Sequence, residues 1–142
     1  MLVFSQLAAP SLDVPAWDAH ARRFFATRVT LASVHGPSEA TVRVTPERGT
    51  PAERRVTARA RTADDLALAD AAEARQGGGL GGLAHRCPTV WTVACQGDDD
   101  AAALRLVAIL AGVGLGPVVD PAGPEIFGVK TARAKLERAS DG

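Results

Sequence analysis

Residues 88–113 read Pro-Thr-Val-Trp-Thr-Val-Ala-Cys-Gln-Gly-Asp-Asp-Asp-Ala-Ala-Ala-Leu-Arg-Leu-Val-Ala-Ile-Leu-Ala-Gly-Val. The first eight are short, apolar and β-branched, which predicts a buried central strand with Trp91 in the core. Gly97 turns the chain, and Asp98 to Asp100 cap a helix over Ala101 to Val113 that is interrupted only by Arg105. A strand and a helix this apolar need covering layers, so the stretch sets the fold class as α/β. A membrane span is not expected. Leu106 to Val119 offers fourteen uncharged residues, with Gly112, Gly114, Gly116 and Pro117 among them, against the roughly 20 needed to cross a bilayer.

On the N-terminal side of this stretch, Thr62-Ala63-Asp64-Asp65 has the form of a capping box. A helix is predicted from there through Leu66, Ala69 and Ala72 to about Arg75. It stops at the run Gly77-Gly78-Gly79-Leu80-Gly81-Gly82 and resumes for one turn at Leu83 to Arg86. Further back, residues 2–8 suggest a strand. Pro15, Trp17, Ala21, Phe24 and Phe25 then mark a helix with Arg22 and Arg23 on its polar side. Residues 28–35 and 40–45 read as a hairpin about Gly36-Pro37-Ser38, and Arg54 to Arg61 as a strand with one wet face. On the C-terminal side, residues 120–124 turn the chain, Glu125 to Val129 suggest a strand, and Thr131 to Ala139 a basic amphipathic helix.

The expected architecture is therefore a single-domain α/β sandwich, with α+β as the neighbouring class: a mixed sheet of about five to six strands covered by three to four helices. One domain spans residues 1–142. Its first half, 1–61, is rich in strands, and its second, 62–142, alternates helix and strand.

Composition narrows the function classes. The 142 residues are 46% hydrophobic and 23% charged, which excludes a wholly disordered chain. Sixteen basic residues balance sixteen acidic ones, so no global field recruits a polyanion and nucleic acid is not the expected partner. The fourteen arginines against two lysines, with no asparagine or tyrosine, match a GC-rich bacterial-type genome. Met1 to Gln6 has no basic region ahead of an apolar one, so no secretory signal is read. Cys87 and Cys95 would lie roughly 26 Å apart on a strand and could not bridge each other. A reducing cytoplasm is the expected compartment.

Candidate sites are sparse. The glycine run contains G-x-G-x-x-G, and Gly77, Gly79 and Gly82 are candidate ligand contacts; but a dinucleotide fingerprint follows a strand, and this one follows a helix. Residues 123–131 resemble a phosphate loop with one residue too many before Lys130. His85-Arg86-Cys87 is the best cluster for chemistry, because a cation or base beside a thiol favours the thiolate; Cys87 and His85 are the candidate catalytic pair. Asp98 to Asp100 could hold magnesium but are explained by helix capping. No histidine has zinc-ligand spacing, so neither metal nor cofactor is expected.

The absence of a complete catalytic constellation favours a non-enzymatic interaction or assembly module, a homo-oligomer or a small subunit of a larger complex. Its candidate surfaces are the strand bearing Arg55, Arg59 and Arg61 and the last helix with Lys130, Arg133, Lys135 and Arg138. The competing expectation is a small-molecule-binding domain or thiol-dependent enzyme built on the glycine loop, His85 and Cys87.

Overall fold

The computed structural model describes residues 1–97 and 99–141. Seven strands and five helices follow in the order β1 (Leu2–Ser5), α1 (Val14–Phe25), β2 (Thr27–Gly36), β3 (Glu39–Pro46), β4 (Ala52–Ala60), α2 (Ala63–Gln76), α3 (Leu80–Ala84), β5 (Thr89–Val93), α4 (Ala101–Gly114), β6 (Val118–Asp120), β7 (Glu125–Phe127) and α5 (Val129–Asp141). The strands form one open sheet in the order β2-β3-β4-β5-β1-β6-β7. The α/β sandwich is the fold. Three details differ from expectation. Every neighbouring pair is antiparallel, whereas the alternation of helix and strand after residue 62 suggested a mixed sheet. The reason is long-range: β1 slots between β5 and β6, with Val3 opposite both Trp91 and Val118.

The additional strand is β6. The apolar run that begins in α4 does not end with the helix. Leu115 takes the left-handed conformation (φ 54°) and caps it, Gly116-Pro117 turns the chain, and Val118-Val119 pairs with β1. The additional helix is α3, which begins at Leu80, earlier than the single turn read at Leu83 to Arg86.

Alternation along the central strands assigns two cores. Val3, Trp91, Val93, Val118 and Phe127 face α1, α4 and α5, joined by Val29, Val42, Val44 and Val56 from β2–β4. Leu2, Phe4, Val90, Val119 and Ile126 face the other way, against Ala69 and Ala72 of α2 and Ala84 of α3. The sheet is thus three layers deep over β5, β1, β6 and β7. Over β2–β4, where Thr41, Arg43, Arg55 and Thr57 point away from α1 and α4, no helix covers it.

Trp91 is fully in the core, in edge-to-face contact with Trp17 at 5.5 Å between ring centres. Helix α4 and the turn after it pack closely enough to need their glycines. A Cβ at Gly112 would come within 2.4 Å of the His20 ring, one at Gly114 within 2.8 Å of Ser5 Oγ, and one at Gly116 within 2.0 Å of the Phe4 carbonyl. The capping box forms as the sequence predicts: the Asp65 amide donates to Thr62 Oγ1 and the Thr62 amide to Asp65 Oδ2. No helix of the described residues is long and apolar enough to cross a membrane.

Candidate functional site

The arginines read as a partner-binding face separate into different jobs. Arg59 makes a two-pronged contact with Asp65 at 2.5 and 2.8 Å, tying β4 to the start of α2. Arg61 donates through Nη1 to the carbonyls of Ala84, His85 and Cys87, closing the end of α3. These two bind the protein to itself. Arg55 stays exposed on the uncovered side of the sheet and pairs with Glu39 at 3.1 Å, with Arg43 and Glu53 beside them at 3.9 Å. That face is a patchwork of both signs. On α5, Lys135 is held by Glu125, Lys130 and Arg138 are exposed, and the Arg133 guanidinium lies 4.2 Å above the Phe25 ring.

The glycine loop has its own anion. Gly77, Gly78 and Gly79 all take positive φ, and the Glu73 carboxylate reaches back to accept from Gly79 N at 2.5 Å and Gly81 N at 3.3 Å. An internal carboxylate therefore takes two of the loop's amide donors. A Cβ at Gly81 would meet Glu73 at 3.1 Å, whereas Gly82 is exposed with open space around it.

His85 and Cys87 are not brought into contact. The His85 ring bonds the Asp70 carboxylate at 2.9 Å near the surface. The Cys87 thiol is fully buried and donates to the Leu83 carbonyl, and burial pushes its pKa up, with nearby Arg61 only partly opposing the rise. Cys95, exposed two residues beyond β5, is raised too, first by desolvation and against the pull of the N-terminal ammonium. Both cysteines are free. Asp100 is the N-cap of α4, Asp99 is exposed, and Asp98 lies outside the described residues. Among the described residues, no group of three or more His, Cys, Asp or Glu is placed to hold a metal.

One apolar recess was not singled out by the sequence. It has a volume of about 630 Å³ and runs between the first turn of α1 and the edge strand β2, lined by Leu12, Val14, Pro15, Leu31, Val34 and Pro37. Helix α1 covers only the first part of β2, where Thr27 and Val29 are buried. Beyond it, Leu31 is 51% and Val34 64% exposed on the same side of the sheet. The signal was present as apolar residues at every second or third position of a strand. Only the strand order shows that β2 has no neighbour on its outer side.

Compared with protein families, with curated proteins and with solved structures, the chain matches none of them.

Proposed function

We propose that this protein is a non-enzymatic assembly module that works by self-association, two copies pairing antiparallel along β2. The observation that carries this reading is the ten-residue open edge with exposed Leu31 and Val34 beside an apolar recess. An unpaired edge presents free backbone donors and acceptors to another strand, and natural edges are blunted by charge or proline when association is unwanted. From Val29 to Val34 this edge has neither. Register skips at Ala32 and His35 twist it locally.

A second copy suits the edge in three respects. Antiparallel pairing about a two-fold axis keeps the helix-bearing faces together, so the Leu31 and Val34 side chains of both copies meet over the recesses. The one formal charge on the strand, Arg28, already pairs with Asp18, and with the axis near Leu31 and Ala32 the two Arg28 residues stand roughly 23 Å apart. The zero net charge of the chain adds no long-range repulsion. The opposite edge, β7, has three residues and packs against α2, α3 and α5, so association closes at a dimer rather than growing into a fibre. A reducing, cytoplasmic setting fits the two free thiols.

Sedimentation equilibrium up to roughly 100 µM, where a standard-sized interface is saturated, should give a dimer. Val34→Lys, an inward-pointing charge on the edge, should give a monomer with unchanged circular dichroism. A monomeric parent protein, or a dimer that survives the lysine, overturns the reading.

A further inference from the structure

Helix α4 is apolar along its whole length except at Arg105. That side chain is half-buried, and its one described hydrogen bond, to Thr27 Oγ1, is long at 3.4 Å. Among the described side chains, which do not include that of Asp141, no carboxylate lies within 4.0 Å of it. The contrast with the other partly buried arginines is plain. Arg54 and Arg59 each hold a carboxylate with two donors, and Arg61 holds three carbonyls. A guanidinium has five N–H groups, and withdrawing it from water without an anion is unfavourable.

Arg105 lines a cavity of about 480 Å³ formed with the C-terminal end of α1 and the side of α5. Arg22, Arg23 and Arg133 also line it, against one carboxylate, Glu137. Arg22 is engaged by Asp18 at 3.3 Å. Arg133 is held in place: it lies over Phe25 and donates through Nη2 to the Phe24 carbonyl at 2.6 Å, leaving its other donors to the cavity. A second recess of about 300 Å³ shares Arg105 and Ser140 with it and brings Arg48. The local potential registers on His20, whose pKa is lowered by burial first and then by Arg133 and Arg23.

We propose that this cavity binds a small organic oxyanion, a carboxylate or phosphate ester on an apolar body, with Arg105 and Arg133 gripping the oxyanion and Phe25 bordering the apolar part. The volume lies within the range of small-ligand sites, and guanidinium forks match the two oxygens of either anion. The site is separate from the β2 edge. Pro15 lines the recess there and Phe24 lines this cavity, roughly 14 Å away along α1.

Phenyl phosphate, benzoate and inorganic phosphate titrated into the full chain in low salt, followed by calorimetry and thermal melting, test this. Phenyl phosphate or benzoate should bind saturably and raise the melting temperature, and inorganic phosphate should bind more weakly. Arg105→Met should keep the fold, melt at or above the parent temperature because a half-buried cation among other cations has been replaced by an apolar chain, and lose affinity about tenfold or more. Arg133→Gln should lose affinity as well, and Arg138→Gln, outside the cavity, should not. Absence of saturable binding, or unchanged affinity in Arg105→Met, overturns the proposal. Equal affinity for inorganic phosphate overturns the part given to the apolar wall.

Discussion

Arg54 of β4 and Asp100, the N-cap of α4, face each other through two parallel hydrogen bonds, Nε to Oδ2 and Nη2 to Oδ1, both 2.8 Å, with side chains only 12% and 3% exposed. The same carboxylate accepts from the amides of Ala103 and Gln96. One aspartate therefore starts the central helix, fixes the loop before it and ties both to the sheet. Removing one member of a buried pair leaves the other uncompensated, at a cost of about 3–5 kcal/mol. Asp100→Ala, which also loses the cap, should fall in or above that range in urea unfolding. Arg54→Met should cost less, because the carboxylate keeps its two amide donors.

Acid should unfold the protein through three aspartates. Burial alone would raise Asp18, Asp65 and Asp100, but hydrogen bonds from Arg28 and Val29 N, from Arg59 and Thr62, and from Arg54, Ala103 N and Gln96 N outweigh it and hold all three below the ordinary 3.8. A depressed folded pKa gives stability that is complete above the unfolded value and is lost as pH falls through the folded one. These three aspartates should leave the melting temperature unaffected above about pH 5 and make it drop steeply below about 4. The drop should be shallower in Asp65→Asn, measured against its own neutral-pH value.

His20 contributes in the same direction at higher pH. Its folded pKa lies below 6.5, so the folded state favours the neutral ring and loses stability as pH falls below 6.5. A two-dimensional NMR titration of the ring should place its midpoint below those of exposed histidine peptides. A midpoint at or above 6.5 contradicts the packing of His20 against Phe24 and Gly112.

The two thiols should differ by access rather than by acidity. Neither is activated, since both pKa values are raised. At neutral pH a disulfide reagent should modify Cys95 slowly and Cys87 only on unfolding. Fast native modification of Cys87 would revive the thiol-enzyme expectation.

Glycine substitutions should fall into three grades. Gly116→Ala drives a methyl into the Phe4 carbonyl and should cost about 3 kcal/mol or more. Gly79→Ala meets no neighbour but must hold a φ of +86°, at about 1 kcal/mol. Gly82→Ala, exposed within α3 with open space around it, should gain up to about 1 kcal/mol. Unfolding of the three variants in one urea series ranks them.

The features legible in the sequence alone were local. The Thr62 capping box, the Asp100 cap, the hairpin about Pro37 and the core place of Trp91 arise from neighbouring residues acting on one another, so short windows reveal them. The antiparallel order of the sheet, and with it the open edge at β2, depends on β1 entering between β5 and β6, partners some 90 and 115 residues distant. The candidate residues changed meaning for the same reason. Arg59 and Arg61 looked available until the fold supplied Asp65 and three carbonyls, and the glycine amides looked ready for a phosphate until Glu73 turned back onto them. Arg105 went the other way. In sequence it was a lone interruption of an apolar helix, and only packing, which half-buries it and brings Arg133 and Arg23 to the same recess, sets it among other cations. A side chain's chemistry is written in its type, but its partner is set by burial and distance, which the tertiary fold decides.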